Sequence, residues 1–119
     1  MTTSVYEGNI HGVTRLAAAT GFDWDAGNQG KNARHGVLDA ETEQVFFSQP
    51  LLVVEDVAHS AGESRFNALG TTTAGRSLHV TFTLRAEGTR IRVISARDMN
   101  RKERLLYERT TEEGPKVPH

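Results

Sequence analysis

The sequence predicts an α+β domain: a small antiparallel sheet with N-terminal helices before it and a C-terminal helix after it. Between residues 51 and 96 apolar side chains recur at every second position. The pattern is cleanest at Leu78, Val80, Phe82 and Leu84, which alternate with His79, Thr81 and Thr83, the period of a half-buried strand. Outside that stretch the punctuation is helical, with cap residues at Asp25, Asp39 and Asn100 and stop signals at Gly36 and Pro50. Strands grouped in the middle and helices at the ends define the α+β arrangement.

Residues 1–21 are small and polar with scattered glycines, and are expected to form a flexible N-terminal extension with a weak helical turn around Arg15–Ala19. Phe22-Asp23-Trp24 reads as a short strand. Asp25 offers a cap for a short helix over Asn28–His35. Gly36 would end that helix, because glycine readily takes the left-handed conformation of a C-terminal cap. Asp39 caps a second helix through Phe47, with Ala40, Phe46 and Phe47 as core contacts. Leu51–Glu55, Arg65–Thr71, Leu78–Leu84 and Thr89–Ala96 are the expected strands, the last two joined by a turn at Glu87-Gly88. Asn100 then caps the terminal helix, with Glu103 at its third position as a capping-box variant. Gly114, Pro115 and Pro118 mark a tail. The domain is therefore expected over 22–110, with a disordered tail over 111–119. Gly70 to Ser77 mimics a phosphate-binding loop with Arg76 in place of lysine. Such a loop must open a helix; here a strand follows, so the segment reads as a hairpin.

With 119 residues and 37% hydrophobic composition, the chain suffices for one ordinary core. The absence of cysteine excludes disulfides, a thiolate nucleophile and thiolate zinc sites. No apolar run approaches the ~20 residues of a membrane span, and residues 1–21 lack the basic start and apolar core of a signal peptide. The expected compartment is cytoplasmic, with no membrane partner. His11 and His79 have no acidic or histidine partner at ligand spacing, so neither a metal site nor a cofactor is expected. The net charge of −1 hides an asymmetry. Residues 85–109 carry eight Lys/Arg against four Asp/Glu, while the remainder carries six against eleven. A locally basic end of this kind suits a phosphate-backbone partner.

An ordered set of residues adds a family resemblance. It runs through Phe22-Asp23-Trp24-Asp25, Lys31-Asn32, His35-Gly36-Val37, Val45-Phe46, Pro50, His59-Ser60, Glu63, Arg65-Phe66, Gly70, Arg76, Arg85, Arg92 to Arg97, Glu103-Arg104 and Tyr107-Glu108. This set resembles the BrnT toxins, small ribonucleases of type II toxin–antitoxin systems, over about residues 22 to 109. The resemblance implies a RelE-like fold, RNA cleavage that halts translation, and neutralisation by a BrnA-type antitoxin. It also implies a 2:2 complex that meets DNA only indirectly, through the antitoxin. Residues 1–21 extend beyond the family pattern, and the aromatic common near Leu38 or Asp39 is absent.

RNA cleavage through the 2′-hydroxyl needs a base for that hydroxyl, positive charge for the phosphorane and an acid for the 5′-oxygen. Arginine suits the second task, since its planar fork grips phosphate oxygens and stays charged. Arg65 and Arg97 are the first candidates and Arg85 the next. Ser95 could donate to a phosphate oxygen, and His59 or Glu63 could move the proton. Lys31, Arg90, Arg92 and Arg101 are candidate RNA contacts. Each has a plainer reading as well: paired surface arginines, a strand-ending serine, a solvated loop histidine, a charged helix face. Strand parity raises a problem, because Ser95 and Arg97 share parity with apolar Ile91 and Val93. Either that face turns polar at the strand's end, or a bulge after Ile94 re-aims both side chains. Three functions stay open: a metal-independent endoribonuclease toxin, a catalytically inactive RNA- or antitoxin-binding module, and an enzyme for small phosphorylated metabolites.

Overall fold

A computed structural model of the chain describes residues 5–7 and 16–113. Six strands form one sheet: β1 (Val5–Glu7), β2 (Gly21–Phe22), β3 (Leu51–Glu55), β4 (Arg65–Thr71), β5 (Ser77–Arg85) and β6 (Arg90–Asp98), in the spatial order β1-β3-β4-β5-β6-β2. Helix α1 spans Asp39–Val45 and helix α2 spans Arg101–Glu113, with 3-10 helices at Lys31–His35 and Val57–His59. The chain is α+β. Among the described residues, no helix is long and apolar enough to cross a membrane.

The sheet is mixed rather than purely antiparallel. β3 to β6 form the expected antiparallel ladder, but β1 runs parallel to β3 and β2 parallel to β6. Both parallel strands are short edge pieces. Backbone hydrogen bonding to an open edge recruits them, and no alternating side-chain pattern announces it. Of the segment 1–21, expected as a flexible arm, residues 5–7 and 16–21 are described. They hold β1, the start of β2, and a turn closed by the Ala19 N–H donating to Leu16 O at 3.0 Å. Arg15, the start of the expected turn, lies outside the described residues. Of the tail 111–119, Thr111–Glu113 continue α2, and the rest lies outside them.

The N-terminal helices are smaller than expected. Gly30 sits in the left-handed region at φ 70°, so only a 3-10 helix forms after it, and Gly36 (φ 71°) ends that helix as anticipated. In α1 the cap is Leu38 and Asp39 is the first helical residue. Glu41 Oε1 accepts the Leu38 N–H at 2.9 Å, while Asp39 Oδ2 accepts the Gly30 N–H at 2.9 Å. Phe46 is buried, but Phe47 and Ala40 are exposed; Val37, Thr42 and Val45 take the remaining core positions.

The core lies between α1 and one sheet face, built from Leu51, Val53, Phe66, Ala68, Leu78, Val80, Phe82, Ile91, Val93 and Ala96. Phe46 meets Phe82 edge-on with centroids 5.0 Å apart, and Phe82 stacks on Phe66 at 5.5 Å. Gly70 lets α1 approach β4: a Cβ there would collide with Ser48 Oγ and stand 3.0 Å from Val45 O.

β6 reaches well beyond the two residues of β2, and side chains complete its outer edge. Asn28 Nδ2 donates to Val93 O at 3.1 Å, and the Ala96 N–H donates to Asn32 Oδ1 at 2.9 Å. Both asparagines are buried. They stand in for a strand where none is present.

The β5–β6 hairpin is strained. Ala86 (φ 53°), Glu87 (φ 56°) and Gly88 (φ 87°) are all left-handed, and the Gly88 N–H closes the turn onto Arg85 O at 3.1 Å. A left-handed non-glycine residue costs roughly 1–2 kcal/mol. Replacing Ala86-Glu87 by Asn-Gly, the pair such turns prefer, is expected to raise stability by about 1 kcal/mol in urea denaturation, after the entropic penalty of the added glycine.

Candidate functional site

The register determines which side chains share the sheet face opposite α1. Residues paired across strands point the same way, giving rows Leu69–His79–Arg97, Asn67–Thr81–Ser95 and Arg65–Thr83–Arg92, then Arg85–Arg90 at the hairpin end. The parity problem is resolved by a bulge. Thr81 pairs with Ser95 but Phe82 pairs with Val93, leaving Ile94 as the extra residue. Ile91, Val93 and Ala96 therefore face the core, while Ser95 and Arg97 turn to the opposite face with Arg92. Of the two alternatives the sequence allowed, the structure selects the bulge.

α2 covers one end of this face. Leu52, Leu69, Met99 and Tyr107 form a small second core, and the Tyr107 hydroxyl donates to Pro50 O at 2.6 Å. The rest of the face is polar and half-buried, with Thr83 at its middle 2% exposed and Val54 39% exposed. Thr81 Oγ1 donates to Asn67 Oδ1 at 2.9 Å.

Five arginines share the face, and three already have carboxylate partners. Arg97 makes a two-pronged contact with Glu103 at 2.8 and 2.9 Å. Arg92 does the same with Asp25 at 3.0 Å on both prongs, with Asp23 3.4 Å away. Arg85 pairs with Glu63 at 3.0 and 2.9 Å. Among the described residues, Arg65 and Arg90 have no carboxylate within ion-pair distance. Within the basic end read from the sequence, Arg85 and Arg92 are thus paired with carboxylates distant in the chain, and Arg97 with Glu103 six residues on.

His59 lies beside this face, at the end of the 3-10 helix after β3. Its Nδ1 is 3.0 Å from both oxygens of Asp56, with the ring 72% exposed. The His59 hydrogen bond holds the Asp56 carboxyl below its usual value, outweighing the opposing effect of burial. The Asp56 N–H donates to Arg65 O at 2.8 Å, which sets the Asp56–His59 pair at the margin of the face. Glu63, the other proton-carrier candidate, is exposed and engaged with Arg85 through both oxygens. Lys31 is exposed on the 3-10 helix beside β6, and Arg101 is exposed at the start of α2. No hydrogen bond or ion pair joins either to the Ser95–Arg97 face among the described residues.

His79, set aside in the sequence for want of a partner at ligand spacing, lies inside this arrangement. It is the cross-strand partner of Arg97, its Nε2 is 3.7 Å from Glu103 Oε2, and its side chain is 14% exposed. Its Nδ1 is buried with no hydrogen-bond partner among the described residues. Burial pushes the imidazole below its ordinary value, ahead of the Glu103 charge that pulls it up and the Arg97 charge that pushes it down. For Glu103, burial raises the carboxyl, but the Arg97 hydrogen bonds, the Asn100 amide and the neighbouring charges together bring it below its usual value.

The linkage signs agree. Unfolded His79 takes up its proton near pH 6.5 and folded His79 only at lower pH, so its contribution is complete above 6.5 and is lost as pH falls. Glu103, also lowered, keeps its contribution above about 4.5 and loses it as pH falls further. Denaturant titrations at stepped pH are expected to show stability declining from about pH 6.5, with a further decline below 4.5. His79→Gln should remove the upper stage alone.

Asp56, Asn67, Thr81, His79 and the Arg97–Glu103 contact were missed in the sequence. One signal was present: His79 and Thr81 share strand parity, so a polar face of β5 was legible. The β6 residues opposite them depend on the bulge.

No curated protein matches the chain significantly. A family model described as "Ribonuclease toxin, BrnT, of type II toxin-antitoxin system" matches residues 24–103, which takes in β3 to β6, both faces of the sheet and the Glu103 cap. With two-thirds of the sequence and the whole candidate face inside that match, the chain belongs to the BrnT family, the ribonuclease toxins of type II toxin–antitoxin systems.

Proposed function

We propose that this toxin is a metal-independent endoribonuclease whose site is the open sheet face carrying Arg65, Asn67, Thr81, Ser95 and Arg97. The observation that carries the reading is the convergence of Arg65, Ser95 and Arg97 on one face, beside the Asp56–His59 pair. Asp56 accepts from the His59 Nδ1–H, which leaves Nε2 as the acceptor for the ribose 2′-hydroxyl proton. The 2′-oxygen then attacks the adjacent phosphorus. Arg65 and Arg97 neutralise the phosphorane, and Ser95 donates to one of its oxygens. A proton passes to the departing 5′-oxygen, leaving a 2′,3′-cyclic phosphate and a 5′-hydroxyl. Preorganised donors of this kind are each worth roughly two to three powers of ten in rate. Glu63 is the weaker choice for the base, because Arg85 occupies both its oxygens. Arg85, Arg90, Arg92, Lys31 and Arg101 remain candidate contacts to flanking RNA.

The reading extends to a RelE-like fold over residues 22–110, inhibition of translation in the cytoplasm, and a BrnA-type antitoxin in a 2:2 complex that meets DNA only through the antitoxin. Family membership supports these points. A second reading, an inactive module that binds RNA or antitoxin, is favoured by the pairing of Arg85, Arg92 and Arg97 with carboxylates.

Incubation of the purified chain with bulk RNA in EDTA separates the two. Fragments ending in 2′,3′-cyclic phosphate are expected. Intact RNA that is bound, with affinity falling by a log–log slope of about 0.7 per phosphate neutralised as salt rises, would establish the second reading instead.

A further inference from the structure

Arg97 uses its donors unevenly. The Nη1 and Nη2 ends face the two oxygens of Glu103 at 2.8 and 2.9 Å, and Nη1 also donates to Asp98 O at 3.1 Å. A guanidinium has five N–H groups. The Nε–H and the second Nη2–H therefore remain, and together they form the side-on fork that binds two oxygens at once. Arg76 shows the same fork in use, with Nε and Nη2 on the two oxygens of Asp98 at 2.7 and 2.9 Å. With 41% of its side chain exposed, Arg97 can offer this second fork to a phosphate without leaving Glu103.

Glu103 is itself held in place. It is the third residue of α2, its Oε1 accepts the Asn100 N–H at 2.9 Å, and its own N–H donates to Asn100 Oδ1 at 2.8 Å, a reciprocal capping box. Its side chain is 18% exposed, with His79 Nε2 beside the other oxygen. Glu103 thus joins three elements: the cap of α2, Arg97 on β6 and His79 on β5.

We propose that Glu103 is a positioning residue for the ribonuclease reaction: by occupying the end-on fork of Arg97 from the capped first turn of α2, it presents the side-on fork to the scissile phosphate. This rests on the ribonuclease reading above and deepens it. An unrestrained arginine must surrender rotamer freedom when it grips the developing phosphorane, whereas one already fixed does not. The opposing effect is that the Glu103 charge offsets part of the Arg97 charge, which by itself would weaken RNA binding. The two effects have different kinetic signatures.

Glu103→Gln tests the difference, because glutamine also serves at the third position of a capping box but cannot form the ionic two-pronged pair. The full-length variant, the parent, Arg97→Ala and the double variant would be compared on one RNA oligonucleotide, with kcat and KM separated and folding checked by thermal melting. The expected result is a fall in kcat of about tenfold or more for Glu103→Gln, with little change in KM. In the Arg97→Ala background the same substitution should have no further effect, because the two residues act as a unit. An equal loss in both backgrounds, or faster cleavage with a lower KM, would overturn the proposal while leaving the ribonuclease reading intact. If Glu103→Gln melts early, Glu103→Asp keeps the charge one methylene short of Arg97, and the same comparison decides. A parent chain that cleaves nothing would overturn the ribonuclease reading and this proposal together.

Discussion

Arg97→Ala is expected to slow RNA cleavage by about two to three powers of ten. In the proposed mechanism the change falls on the rate constant, because there Arg97 meets charge that appears only on the phosphorane. The stability loss should be small, about 1 kcal/mol, since the pair is partly exposed and Glu103 keeps its bond to the Asn100 amide. Arg65→Ala should show a similar kinetic loss with even less effect on stability. Its side chain has no ion-pair partner among the described residues, and its backbone bonds to Asp56 and Ser60 survive truncation. Arg85→Ala, at a candidate contact to flanking RNA, should weaken binding more than it slows the cleavage step. Arg85 is equally basic and lies on the same face, but it stands at the hairpin end and is paired with the exposed Glu63. Single-turnover cleavage of one oligonucleotide by all three variants checks the assignment. If Arg65→Ala and Arg97→Ala cleave at the parent rate, the catalytic site lies elsewhere on the molecule.

Asn32→Leu is expected to destabilise the fold by roughly 1–3 kcal/mol, the penalty for leaving a buried amide unpaired. Asn32 is 2% exposed, and its Oδ1 is the acceptor for the Ala96 N–H. Leucine matches its size but offers no oxygen. Because Ala96 lies between Ser95 and Arg97, two residues after the bulge at Ile94, the loss should also loosen that stretch of β6. Lys31→Ala, one residue away and exposed, should stay within about 0.5 kcal/mol of the parent. Guanidinium titration of both variants reads the contrast. Near-equal stabilities would show that Asn32 does not complete the β6 edge.

The contrast between Lys31 and Asn32 shows why the candidate site was only half legible. Lys-Asn is one motif in the sequence, yet one half faces solvent and the other closes a hydrogen-bond gap 64 residues away. Residue type alone cannot make that separation. His59 shows the opposite case, since its partner Asp56 stands three residues earlier. That pair lies within local reach. The arginines fall between these cases. Their number and location were readable, but the partners Asp25, Glu63 and Glu103 depend on pairings that only the folded sheet creates. His79 has no partner at ligand spacing along the chain, yet its neighbours Arg97 and Glu103 come from across the sheet and from α2.

What the sequence by itself determined is whatever depends on short-range pattern. The alternation at residues 51–55, 65–71 and 78–96 specified β3 to β6, because a period of two leaves only one way to bury an apolar face. Gly36 and the Asn100-to-Glu103 box marked helix ends, because caps are local hydrogen bonds. The ordered residues from about 22 to 109 carried the family resemblance. The tertiary structure decided what depends on backbone groups seeking partners far along the chain. Open sheet edges drew in β1 and β2, and two asparagine side chains filled the remaining gap on β6. One extra residue, Ile94, reversed the facing of everything after it. That reversal took Ser95 and Arg97 out of the core parity of Ile91 and Val93 and set them on the open face with Arg65.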